Sequence, residues 1–185
     1  MKLVLLDRDG VINRDSSDFI KHADEFVPIA GSLEAMAALC QAGFRLRVCT
    51  NQSGIGRRLF DEAALSGIHD KLYRLASAAG AQIDGIHYCP HHPAANCDCR
   101  KPLPGLIDAA LRDAGCRPDE ACVIGDSHRD LAAGWAAGCS ALLVLTGNGQ
   151  KTLKQLSTDE SERLLCIQPD LAAAAQWLIA RRDGA

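Results

Sequence analysis

The chain has 185 residues, a length that fits one domain and is a poor fit to two. Hydrophobic residues make up 48% and charged residues 23%, with a formal net charge of -3. That composition describes a globular chain able to bury a core without staples. It speaks against a basic nucleic-acid binder, and 4% aromatics leave little for base stacking.

No apolar run approaches the ~20 residues needed to span a bilayer. The start carries only Leu3-Val4-Leu5-Leu6 before a charge, against the ~7–15 apolar residues of an export signal. The expectation is a cytoplasmic monomer of residues 1–185, with a small-molecule partner and neither a nucleic-acid nor a membrane partner. Nine cysteines, three of them crowded between 89 and 99, fit reduced thiols around a metal better than disulfides.

Short apolar runs at Leu3–Leu6, Leu46–Cys49, Ile86–Tyr88, Cys122–Ile124 and Ala141–Leu145 predict buried strands. Between them, amphipathic stretches predict helices over Ser32–Ala42, Asp61–Ala79, Pro104–Ala114 and Arg129–Ala137, each followed by a glycine that can close it. A last helix is expected from about Asp170 to Ala180, and 151–163 reads as a surface helix or loop. Strands alternating with helices predict an α/β fold: a Rossmann-like parallel sheet with helices on both faces. Ligands then bind at the carboxyl ends of the strands.

The polar residues after each strand are therefore the informative ones. Asp7-Arg8-Asp9-Gly10 follows the first. Two acids near a turn are often merely solvated, but together at this edge they call for a cation. Thr50-Asn51-Gln52-Ser53 follows the second and suits an oxyanion cradle or an ordinary turn. Cys89, His91, Cys97 and Cys99 follow the third and would close a tetrahedral, structural Zn²⁺ site, with His92 and His87 as alternative imidazoles. Arg100-Lys101 comes next, and Gly125-Asp126 follows the fourth strand, with Asp130 placed to cap or brace the next helix. Acids for Mg²⁺, together with a hydroxyl and a lysine for phosphate, make the set that phosphoryl transfer through an aspartyl-phosphate requires.

In this order and spacing the residues resemble the haloacid dehalogenase superfamily of phosphatases. Asp7-Arg8-Asp9-Gly10-Val11 is similar to its first motif, Thr50-Asn51 to its second, Lys101 to its third, and Gly125-Asp126 with Asp130 to its fourth. More narrowly, Thr50 to Ile55, the cysteine loop and Cys99 to Gly105 resemble the D-glycero-D-manno-heptose 1,7-bisphosphate 7-phosphatases, with the histidinol-phosphate phosphatases as close relatives. The resemblance implies a haloacid dehalogenase-like fold without a large cap domain, the zinc loop at 89–99 forming the main wall beside the pocket. It implies removal of the 7-phosphate in making activated heptose for surface glycans.

The resemblance further assigns Asp7 as nucleophile and Mg²⁺ to Asp7, Asp126 and the Asp9 backbone carbonyl. Asp9, starting protonated, serves as acid and then base. Thr50 and Lys101 hold the phosphoryl oxygens, and Arg100 meets a second phosphate. Arg8, Asn51, Gln52, Ser53 and Ser127 complete the expected substrate contacts. Ser127 stands where many of these enzymes have Lys, and Arg14 to Phe19 departs from their Gly-Tyr segment. Histidinol-phosphate hydrolysis and a catalytically silent zinc-containing interaction protein are the competing readings.

Overall fold

The computed structural model describes residues 1–183. Six parallel strands form one sheet in the order β3-β2-β1-β4-β5-β6. They are β1 (Leu3–Leu6), β2 (Arg45–Asn51), β3 (Gly85–Cys89), β4 (Ala121–Gly125), β5 (Ser140–Val144) and β6 (Ile167–Gln168). β1 is hydrogen-bonded on both sides and buried along its length, which explains its unbroken run of aliphatic residues. Successive side chains leave opposite faces of a strand. Val4 and Leu6 accordingly enter one apolar cluster with Met36, Leu39, Leu72 and Leu178, while Leu3 and Leu5 enter another with Leu106, Ile107 and Val123.

The first face is covered by α1 (Ser32–Gln41), α3 (Glu62–Ala78) and α8 (Leu171–Asp183), the second by α4 (Gly105–Ala114) and α5 (His128–Ala136). Helix ends carry local signals: Asp61 accepts from the Ala64 N–H at the start of α3, and Gly115 closes α4 in the left-handed region at φ +60°. Two features go beyond the sequence reading: the segment after β2 forms a short helix α2 (Ser53–Gly56), and β6 adds a two-residue edge strand. The polar stretch after β5, expected as a helix or loop, becomes α6 (Gly149–Gln155) and α7 (Thr158–Glu162). Such short pieces carry too little periodicity to announce themselves.

The register fixes the site. Leu6 lies beside Val48 on one side and Ile124 on the other, so Asp7, Thr50 and Asp126 emerge together where β1, β2 and β4 end. The sheet reverses its winding direction between β1 and β4, the place where such sheets open a crevice. All nine cysteines are free, and no helix among the described residues is long and apolar enough to cross a membrane.

Candidate active site

A cavity of about 190 Å³ opens at the carboxyl edge of the sheet. Asp7, Thr50 and Lys101 are among the buried residues that line it, and Asp9, Arg100 and Arg129 border it as well. Gly10 makes the turn after β1 at φ +88°, and a Cβ there would collide with the Asp126 carboxylate. Only glycine lets the β1 loop lie this close to the end of β4.

Lys101 Nζ donates to Asp7 Oδ1 at 2.8 Å and to the Cys49 carbonyl at 2.6 Å, and lies 2.6 Å from Asp130 Oδ1. An ammonium has three protons, so all three are engaged. Asn51 fixes the lysine backbone: its Nδ2 donates to the Lys101 carbonyl at 3.0 Å and its Oδ1 accepts from the Lys101 N–H at 3.1 Å. Burial alone would lower the lysine pKa, but Asp130 and Asp7 outweigh it and push it up. The same ammonium, with the Ser127 hydroxyl and Arg129, holds Asp130 below the usual carboxylate range against its own burial.

Asp7 behaves oppositely. Burial above all pushes its pKa up to about 7; Lys101 opposes the rise, and the Asp130, Asp126 and Asp9 charges add to it. Burial, with Asp130, pushes Asp126 to about 6. Its Oδ2 accepts from the Asn148 backbone and side chain at 2.7 and 3.2 Å, while its Oδ1 is buried without any partner. One oxygen each from Asp7, Asp126 and Asp130 lies within 4.8 Å of the others. Asp130 is ion-paired with Lys101 and accepts from Ser127, so the orphaned Asp126 Oδ1 and the Asp7 oxygen not facing Lys101 are the carboxylate donors left for a cation. An all-oxygen set with surplus negative charge fits Mg²⁺.

Asp9 departs from expectation. The Arg8 guanidinium grips it from Nε and Nη2 at 2.9 to 3.1 Å, and Asn13 Nδ2 and Gln52 Nε2 each donate at 2.9 Å. Burial would raise its pKa, but Arg8 and these hydrogen bonds overcome it and hold the carboxyl low. Asp9 is therefore ionised at rest, not protonated. Arg8 is fully buried and outside the cavity lining, and its guanidinium is directed at Asp9 and Gln52. Gln52 links Asp9 to Thr50, donating to the Thr50 Oγ1 at 2.7 Å and leaving that hydroxyl proton free.

Ser127 does not line the cavity. It caps α5, its hydroxyl donating to Asp130 Oδ2, and the same oxygen accepts from the Ser127 N–H at 3.1 Å. Ser53 does line it, at the start of α2. The outer wall is the 15–20 segment, with Asp15, Phe19 and Ile20, and not the cysteine loop. Phe19 holds φ +65°, a region aromatic residues rarely adopt, and the Arg57 guanidinium lies 6.0 Å from its ring centroid. Arg129, Asn148 and the role of Asp130 as the lysine's counter-ion were missed in the sequence.

Cys89, His91, Cys97 and Cys99 converge at the neighbouring edge. Cys89 Sγ lies 3.7 Å from Cys97 Sγ and 3.4 Å from His91 Nδ1, which is 3.2 Å from Cys99 Sγ. Zn–S bonds of about 2.3 Å at tetrahedral angles give S···S edges of about 3.8 Å, so the spacing fits zinc with no open position. His92 and His87 stand apart: His92 Nδ1 accepts from the Ala94 N–H, and His87 Nε2 pairs with Arg47. The loop also braces the cradle, since the Cys89 carbonyl accepts from the Gln52 N–H and the Pro90 carbonyl from the Gly56 N–H, each at 2.8 Å.

A family model of HAD-hydrolase-like proteins matches residues 98–174. A D-glycero-beta-D-manno-heptose-1,7-bisphosphate 7-phosphatase of Bordetella bronchiseptica is 47% identical over 97% of this chain and 98% of its own length. The chain belongs to the heptose 1,7-bisphosphate 7-phosphatase family of HAD-like hydrolases. Another member, from Neisseria meningitidis serogroup A, is 51% identical over 84% of this chain and 83% of its own. The crystal structure of the B. bronchiseptica enzyme complexed with magnesium and phosphate superposes with a TM-score of 0.93 at 46% identity, covering 98% of this chain and 99% of that one. The Burkholderia thailandensis enzyme of the same name gives 0.74 at 40% identity, covering 97% and 99%. Members of this family are phosphoric monoester hydrolases, and this chain carries their fold over 98% of its length.

Proposed function

We propose that this protein hydrolyses the 7-phosphate of D-glycero-D-manno-heptose 1,7-bisphosphate through an aspartyl-phosphate on Asp7. The observation that carries the reading is the convergence of Asp7, Asp126 and Lys101 on one cavity, in a chain nearly half identical to a heptose bisphosphatase over almost its full length.

Asp7 and the free Asp126 Oδ1 would hold Mg²⁺ with the Asp9 carbonyl, to which no donor among the described residues is directed. Bound there, the cation supplies charge neutralisation for a carboxylate meeting a phosphate dianion. Asp7 Oδ attacks phosphorus, and the P–O bond to the sugar breaks as the new one forms. Asp7 loses its charge in the acyl-phosphate, so Lys101 turns one N–H from it to a phosphoryl oxygen while Asp130 keeps the ammonium in place. Thr50 donates its hydroxyl to another oxygen. Asp9 is ionised at rest, so the proton for the leaving alkoxide reaches it from solvent or from a substrate monoanion. An ionised Asp9 is already competent as base for the water that hydrolyses the ester.

Zn²⁺ at Cys89, His91, Cys97 and Cys99 is the structural part of the proposal, supported by the ligand spacing. Work as a cytoplasmic monomer on a small phosphosugar completes the proposal, and the polar, cation-lined cavity suits the phosphosugar. Hydrolysis of both heptose 1,7-bisphosphate anomers and of histidinol phosphate, assayed in parallel with Mg²⁺, tests the reading. A higher kcat/KM on a heptose bisphosphate supports it. A higher value on histidinol phosphate, or no turnover of any of the three, overturns it.

A further inference from the structure

Most cationic and amide donors around the cavity are committed to the protein itself. Lys101 has no spare proton, Arg8 is bound to Asp9 and Gln52, and the Gln52 amide serves Asp9 and Thr50. Two guanidiniums that line the cavity are different. Arg100 has a buried Nη1 with no partner; Arg8 has one too, but Arg8 is fully buried and outside the cavity lining. Arg129 makes one hydrogen bond among the described residues, from Nε to the Ser127 hydroxyl at 3.2 Å, which leaves its Nη groups free. No carboxylate among those residues lies within ion-pair distance of either.

Depth separates these arginines from the reacting groups. Asp7, Thr50 and Lys101 form the buried floor, where the transferred phosphoryl group sits. Arg100 is half-buried and Arg129 exposed, so both stand nearer the mouth. Ser127 is turned inward to Asp130, so the first turn of α5 presents its cation two residues later, from Arg129. A planar fork with free N–H groups suits a phosphate, which can accept two parallel hydrogen bonds.

We infer that Arg129 is a specificity-determining residue that, with Arg100, binds the second, non-transferred phosphate of a bisphosphorylated substrate at the cavity mouth. This rests on the phosphatase reading above but not on the identity of the sugar. Its own N–H to the Ser127 hydroxyl restrains the guanidinium before substrate arrives.

The test compares wild type, Arg129→Ala and Arg129→Lys on heptose 1,7-bisphosphate and on p-nitrophenyl phosphate. The expected result for Arg129→Ala is a loss of kcat/KM on the bisphosphate at least tenfold larger than its loss on the monoester, chiefly through KM. Arg129→Lys, which keeps charge but not the fork, gives an intermediate ratio and serves if the alanine variant folds poorly. Equal losses on both substrates, or no loss on either, would overturn the inference. A second arm does not depend on the heptose assignment: fructose 1,6-bisphosphate should inhibit p-nitrophenyl phosphate hydrolysis more strongly than fructose 6-phosphate in wild type, and that preference should collapse in Arg129→Ala. Wild type that ignores heptose bisphosphate but loses this preference on mutation would refute the proposed substrate and keep the role of Arg129. An unchanged preference would refute the role itself.

Discussion

Lys101 Nζ and Asp130 Oδ1 lie 2.6 Å apart, and their side chains are 2% and 0% exposed. The pair joins the loop after β3 to the first turn of α5 and fixes the ammonium whose other contacts are Asp7 and the Cys49 carbonyl. Breaking a buried pair by removing one partner typically costs about 3–5 kcal/mol, because the other charge remains buried. Asp130→Ala should lower stability to denaturant by about that amount, and turnover with it. Asp130→Asn, which keeps a hydrogen bond to the ammonium, should lose less of both. Stability within experimental error of wild type in Asp130→Ala would show that the pair is not what holds Lys101.

Asp7→Asn is expected to reduce turnover by several orders of magnitude, since the acyl-phosphate cannot form. Its stability should move the other way. Burial and neighbouring carboxylates make an ionised Asp7 costly, with its pKa pushed to about 7. Removing that charge without added metal should leave the thermal midpoint unchanged or higher. A clearly lower midpoint would mean that the Lys101 contact outweighs burial.

Zinc removal should act at a distance. The cysteine loop holds Gln52 and Gly56 through carbonyls of Cys89 and Pro90, and Lys101 follows the last ligand by two residues. Chelation strong enough to strip the site should abolish turnover and expose thiols to a titrating reagent, while Asp7, on β1's side of the cavity, keeps its place. Purified protein should contain about one zinc per chain. Protein without zinc that retains full activity would rule out this bracing role.

His69 gives stability a pH dependence. It is buried on α3, and burial, followed by the Arg8 charge, pushes its pKa down to about 4. The unfolded chain takes up a proton near pH 6.5, which the folded chain refuses until about 4. Stability from this group is full above 6.5 and falls as pH drops through that window, by about 3 kcal/mol in all. Urea unfolding at pH 7 and pH 4.5 should show a smaller drop in His69→Gln than in wild type. An equal drop would assign the loss to other groups.

Much of the site was legible because its chemistry sits next to strong signals. Asp7 and Asp126 directly follow apolar strands, and the cysteines are crowded within a few residues. Arg8 was misread because it lies between two acids in sequence, while its side chain runs into the core to hold Asp9. Ser127 offered a readable alternative: serine with an acid three residues on is a helix-capping pattern, and capping is its structural role here. The partnership of Lys101 with Asp130 spans a loop and a helix far apart in sequence, which no local pattern reports. The wall from Asp15 to Ile20 lies in an irregular loop with no periodicity to place it.

Cys89 joins two chemistries in one residue. Its sulfur belongs to the tetrahedral cluster, and its carbonyl holds the Gln52 N–H at the base of the phosphate cradle. Oxidation or alkylation of that thiol would thus be transmitted along the main chain to a catalytic edge the reagent never touches. A reagent that reached it would act on the scaffold alone, with every group that handles phosphorus chemically intact.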